Sequence, residues 1–402
     1  MMKRTILSGL LIISFLLVGC SADRSFDARL NSIVKPYLFS IVGWEFEAIP
    51  REVGQWFSGD EEETGNEIQL VIDYFDYAER IELLKSEIVL KRENDAEADP
   101  SALEDELSRL EERKTALTGA VENVIEKQIR EVLAEQGIYN PVGGTDSTFP
   151  PVKFRLDQLP SVLVISPRDK IESMREYTLV SGLSRSEKED IEEEVDELGV
   201  SSLVTEIGGI ATYPSLVDSQ ASLRYTLDVV IEEWLHQYLA FKPLGFKYVL
   251  DLTGISRDYE IVTMNETLAN MVSDELGAIV YEKYYSGYIS SSNTTSANGF
   301  DFNAGMREIR KTVDEYLARG EIEQAEEYME QTRRYIVSNG YYIRKLNQAY
   351  FAFHGAYADR PAFQNPIGIE LRELRDRSDS IENFLETAAA MSSRQDLQAS
   401  IK

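Results

Sequence analysis

Residues 231 to 241 read Ile231-Glu232-Glu233-Trp234-Leu235-His236-Gln237-Tyr238-Leu239-Ala240-Phe241, and Asn265-Glu266-Thr267-Leu268-Ala269-Asn270 follows downstream. In a helix, Glu232 and His236 stand one turn apart on one face, with Glu233 about 100° round the axis. Trp234, Leu235, Tyr238, Leu239 and Phe241 surround them with apolar side chains and draw the segment into a core. Such a helix can present Glu232 and His236 to a divalent cation and leave Glu233 as a base. A third ligand has to come from elsewhere. Glu266 is the candidate, because it opens a predicted helix beside the apolar Leu268, Ala269, Met271 and Val272, where a buried carboxylate demands a partner or a metal. A di-iron bundle site requires a second Glu-x-x-His, and the chain has none.

Outward from these helices the chain divides by pattern. Residues 1–19 have the layout of a secretory signal: Lys3 and Arg4, then an apolar run from Ile6 to Val18 that is short for a membrane span. Leu17-Val18-Gly19-Cys20 resembles the lipobox of bacterial lipoproteins, which implies that Cys20 carries lipid and becomes the first mature residue. Cys20 is the only cysteine, so no intramolecular disulfide can form. The expected location is the cell envelope, lipid-anchored to the outward face of a bacterial membrane. Residues 20–66 form a lead-in around Val34-Lys35-Pro36-Tyr37, Ile41-Val42-Gly43-Trp44 and Trp56-Phe57.

Over 67–138 Leu70, Tyr74, Tyr77, Ile81, Leu84 and Ile88 recur at steps of four and three, and Leu103, Leu107, Leu110, Leu117, Val121 and Val124 form a second stripe. Pro100 and the acidic residues before it separate the two runs, predicting an antiparallel, coiled-coil-like helical hairpin. It serves either as a brace or as a partner-binding arm. From 150 the period changes to two. Strands are expected within 152–213, at Val152 to Leu156, Val162 to Ile165, Ile171 to Leu179 and Ser202 to Tyr213, the last containing Gly208-Gly209. Between them Ser184 or Ser186 caps a helix that stops at Gly199. Site helices follow over 218–285, the first capped by Asp218 or Ser219. The Ser-, Thr- and Asn-rich stretch 287–299 is a loop, and C-terminal helices occupy 303–391 around the aromatic segment Tyr350 to Tyr357. The fold class is therefore α+β and predominantly helical, with a small mixed sheet.

With 70 acidic against 41 basic residues the net charge is −29, which argues against a nucleic-acid partner. At 43% hydrophobic residues over 402 positions the chain can build a sizeable core.

Taken together, Gly208-Gly209 in an edge-like strand, Glu232-Glu233-Trp234-Leu235-His236 on the next helix and Asn265-Glu266-Thr267-Leu268-Ala269 on the one after are similar to the gluzincin zinc peptidases. The pattern looks closest to bacterial predicted aminopeptidase-like lipoproteins of that clan, and it covers residues 200 to 285. The resemblance implies a zincin-like metallopeptidase domain over 150–402, with Glu233 as general base and Glu232, His236 and Glu266 holding zinc or another divalent metal. It further implies Gly208, Gly209 and Ile210 as the strand that pairs with a peptide substrate, and His354, Tyr350 or Tyr357 as oxyanion donor. Two positions depart from it. Glu232 stands where the clan's H-E-x-x-H motif has its first His, and Asn270 stands where an Asp orients that His. The paired change is compatible with a carboxylate-rich centre tolerant of manganese or iron. It is equally compatible with a pseudopeptidase that binds peptide or a protein partner without cleaving it.

Overall fold

The computed structural model describes residues 25–39, 66–94, 99–143, 147–253, 255–256, 258–288, 302–339, 343–354 and 366–402. The signal segment, Cys20, most of the lead-in, the 289–299 part of the predicted loop and Tyr357 lie outside the described residues. After a helix over 25–34 (α1) come α2 (Asn66–Asn94), α3 (Ser101–Glu135), β1 (Phe154–Asp157), β2 (Pro160–Pro167) and β3 (Arg175–Ser181). Then follow α4 (Arg185–Asp196), β4 (Val200–Glu206), β5 (Gly209–Ile210), β6 (Ser215–Asp218), α5 (Leu223–Leu239), α6 (Pro243–Leu252) and α7 (Tyr259–Tyr285). The remainder is α8 (Phe302–Ala318), α9 (Ile322–Ser338), α10 (Gln348–His354), α11 (Pro366–Arg377), α12 (Ile381–Ala389) and α13 (Arg394–Ser400). The chain is thus α+β and predominantly helical, with two sheets of three strands each among the described residues. None of the described helices is long and apolar enough to cross a membrane.

These elements form two compact units. The first takes its described residues from Met1–Trp56, Pro160–Glu206 and Lys311–Phe353; the second from Phe57–Leu159, Ile207–Arg310 and His354–Lys402.

In the first unit β2 pairs antiparallel with β3 on one side and β4 on the other. Its core gathers Leu30 and Val34 of α1, Leu163 and Ile165 of β2, Leu179, and Ile191 and Val195 of α4. Of the two expected caps Ser184 is used, and helix α4 begins with a capping box in which Ser184 accepts from the Glu187 N–H and Glu187 accepts from the Ser184 N–H. It stops where Gly199 turns left-handed, at φ +86°. Buried Glu192 of α4 accepts two hydrogen bonds from the Arg344 guanidinium and one from the Val204 N–H, so one carboxylate holds α4, β4 and the approach to α10 together.

In the second unit α2 and α3 form the predicted antiparallel hairpin, with Arg80 paired to Glu106 and Lys127 to Glu67. Tyr74, Ile81, Leu84 and Ile88 of the heptad stripe are buried, as are Val121 and Val124 on α3. The hairpin's base belongs to the same core as Leu227, Trp234 and Leu235 of α5, Leu268 and Val272 of α7, and Phe384 of α12. Glu122 and Glu126, one turn apart on α3, accept from the Leu156 and Phe154 N–H groups of β1. Carboxylates thereby satisfy an edge strand that, among the described residues, has no neighbouring strand on that side. The sheet order is β1-β6-β5, with β1 parallel and β5 antiparallel to β6.

Local expectations moved in four places. The strand expected from Ile171 begins only at Arg175. The strand expected over Ser202 to Tyr213 breaks at Gly208, leaving β4 in the first unit's sheet and β5 in the second's. Asp218 closes β6 instead of capping α5; the cap is Ser222, which accepts from the Tyr225 N–H. Helix α7 starts at Tyr259 under an Asp258 cap, so Glu266 sits beyond its first turn. Each Ser or Asp ahead of a helix offers the same local signal, and the strand ladder decides which one is free to cap.

Candidate metal centre

Helix α5 presents Arg224, Asp228, Glu232 and His236 at successive four-residue steps, a polar stripe on a helix most of whose apolar residues are buried. Helix α7 crosses it in the opposite sense. Arg224 donates to the Asp274 carbonyl at one end of the crossing, and His236 Nε2 lies 3.7 Å from Glu266 Oε2 at the other.

At that second end one donor atom each from Glu232, His236 and Glu266 lies within 4.8 Å of the other two. A cation bound at roughly 2.1 Å to each of three tetrahedral donors holds them about 3.4 Å apart. The His236 and Glu266 atoms, 3.7 Å apart, already stand close to that spacing. Both His236 and Glu266 side chains are about one-tenth exposed, at 9% and 11%, so a cation between them exchanges most of its water for protein donors. The donor set, two carboxylates and one imidazole, suits zinc, manganese or iron.

The outer atoms of two of these residues are tied down. Asn265 places its Nδ2 3.0 Å from His236 Nδ1, and its buried Oδ1 accepts no hydrogen bond. Turning that amide over lets Oδ1 accept an Nδ1–H proton, which leaves Nε2 with its lone pair toward Glu266. Tyr248 of α6 donates its hydroxyl to Glu266 Oε1 at 2.5 Å. Its ring lies over the His236 imidazole, with centroids 5.6 Å apart and planes 22° from parallel. Neither role follows from the sequence motif. Gly245 is the one local signal, since a Cβ there would stand 2.2 Å from the Leu239 carbonyl oxygen, so only glycine lets α6 fold back this tightly on α5.

Glu233 points from the same helix toward β5, where its Oε1 would be 2.4 Å from a Cβ on Gly209. Loss of solvent around the carboxyl raises its pKa well above the usual range, and the charges of Glu232 and Glu266 add to the rise. Three carboxyl groups crowded this way repel unless one keeps its proton or a cation joins them. Gly208 meets the Tyr225 hydroxyl and Ile210 completes β5, an edge strand. Next along α5, Gln237 donates to the Thr212 carbonyl and to Ser215 Oγ, which holds the β5–β6 turn against the helix.

The structure thus brings Glu232, His236 and Glu266 into one cluster, with Glu233 beside Gly209. Asn270 donates to Asp274 at 3.4 Å, one turn along α7 from Glu266. Tyr350 belongs to the first unit, on α10, which His354 ends. The hydroxyl seen at the cluster is that of Tyr248.

Comparison with known proteins yields no match, whether to a protein-family model, to a curated protein or to a solved structure.

Proposed function

We propose that this chain is a metal-dependent hydrolase of peptides, built on a Glu232–His236–Glu266 centre. The observation that carries the reading is the meeting of those three donors, delivered by two separate helices, with the His236 and Glu266 side chains about one-tenth exposed. A divalent cation held there supplies Lewis acidity toward a carbonyl and toward water. Glu233 is the base, since it lies beside the ligands, near enough for the charges of Glu232 and Glu266 to act on it. The edge strand Gly209–Ile210 offers backbone groups to an extended peptide next to that carboxyl. The protein acts at an outward membrane face, attached through lipidated Cys20, a reading supported by the Leu17-Val18-Gly19-Cys20 motif.

Elemental analysis of protein prepared without chelator or histidine tag tests the centre, with His236→Ala as control. Near-stoichiometric zinc, manganese or iron that vanishes in the control supports it. Glu233→Gln must then lower peptide hydrolysis by about 10²–10⁴-fold while metal is retained. Metal-free protein that stays so after incubation with all three ions overturns the reading in favour of a pseudopeptidase. Intact-mass measurement on membrane-extracted protein reports whether Cys20 carries acyl groups.

A further inference from the structure

We infer that Tyr248 is a positioning residue of this centre: its hydroxyl occupies one oxygen of Glu266, so that the carboxylate meets a cation through the other oxygen alone. The inference rests on the metal-centre reading above and names a residue that no motif marks.

The geometry is specific. Glu266 Oε1 accepts the Tyr248 proton at 2.5 Å, and Glu266 Oε2 is the oxygen turned to His236 Nε2. A carboxylate whose outer oxygen is held by a donor cannot swing both oxygens onto the cation without breaking that bond. The ring of Tyr248 is itself held, because it lies over His236 and its helix is fastened to α5 at Gly245. The hydroxyl therefore has little freedom to follow a rotating Glu266.

The consequence concerns open coordination positions. Two glutamates can offer four oxygens, which with His236 would fill five positions around one cation. A catalytic centre needs three protein donors and a place left for water or substrate. By keeping Glu266 to one oxygen, Tyr248 preserves that place in a site richer in carboxylate than most.

Cobalt(II) substitution reads the coordination number directly, because four-coordinate cobalt absorbs strongly in the visible and five- or six-coordinate cobalt weakly. The parent chain, Tyr248→Phe and Val249→Ala are each loaded with cobalt, and zinc affinity is measured by competition with a chelator. Phenylalanine keeps the ring over His236 and removes only the hydroxyl; Val249 is an exposed neighbour on the same helix. The parent and Val249→Ala are expected to show the strong four-coordinate spectrum. Tyr248→Phe is expected to show weakened bands and a zinc Kd raised roughly tenfold. A parent spectrum of five or six donors overturns the inference, as does a Tyr248→Phe spectrum and Kd equal to the parent's; both leave the metal centre standing. A parent chain that binds neither ion overturns the metal centre and, with it, this role of Tyr248. Should Tyr248→Phe fail to fold, the parent spectrum alone still decides.

Discussion

The carboxyl of Glu233 fills the space that a side chain at Gly209 would need, with Oε1 2.4 Å from where the Cβ would be. Glycine at this position is therefore a requirement of the site, imposed by close approach of a strand backbone to a helix side chain. Gly209→Ala must displace the carboxyl or lift β5. The neighbouring Gly208→Ala meets the hydroxyl end of the Tyr225 ring, a side chain that is 44% exposed and can move aside. We expect Gly209→Ala to destabilise the protein by about 1–3 kcal/mol and to lower peptide hydrolysis with metal content unchanged, and Gly208→Ala to do neither. Paired chemical denaturation and metal analysis of the two variants check this.

Asp228 lies on the polar stripe one turn below Glu232, with its side chain only 18% exposed. Its Oδ1 lies so close to Gly277 that a Cβ there would be only 1.9 Å away. Burial pushes its pKa up to about 7, against the pull of Arg224 and with a further push from Asp274. A carboxyl whose folded pKa exceeds its unfolded one binds its proton more tightly in the native state. It contributes stability that is fully present below the unfolded pKa near 4 and is lost as pH rises through about 7. The loss attributable to this group is at most about 4 kcal/mol. Asp228→Asn, which mimics the protonated form, is expected to flatten this part of the pH profile. Urea unfolding of parent and variant at pH 5 and pH 8 measures it; an equal pH difference in both would rule the effect out.

Glu192 in the first unit is 2% exposed and depends on Arg344 for two of its hydrogen bonds. Removing the guanidinium leaves a buried carboxylate supported by the Val204 N–H and by Lys345 at 3.4 Å. Arg344→Ala is expected to cost about 3 kcal/mol, whereas Glu192→Gln together with Arg344→Met should cost far less because no charge is stranded. Denaturation of the two variants, read by hydrogen exchange at β4 amides, separates these outcomes.

Much of the architecture is legible along the chain, and the reason is periodicity. The stripe from Tyr74 to Ile88 has helical spacing and is buried on α2 in the hairpin that spacing predicts. Ser184 and Gly199 bound α4 because a hydroxyl acceptor and a left-handed glycine are local solutions to unpaired helix ends. Where several residues offer the same local solution, the pattern does not choose among them. Asp218, Ser219 and Ser222 are all competent caps for α5, and Ser222 is used because Asp218 is committed to the β6 ladder. Gly208-Gly209 is legible as an interruption of a strand; that the chain changes sheet there depends on partners remote in sequence.

For the candidate centre the division has the same cause. A helix of 3.6 residues per turn places Glu232 and His236 on one face and Glu233 to the side, so the relation among those three is readable from their spacing alone. That spacing says nothing about distance to Glu266, because no local rule sets the crossing of α5 and α7 that brings Oε2 within 3.7 Å of Nε2. Tyr248 was still further from view. Its contact with Glu266 exists only because Gly245 admits a close turn between α5 and α6, and side chains that meet through such a turn share no spacing along the chain. Local backbone geometry decided which donors face together, and only the packing of helices decided what they meet.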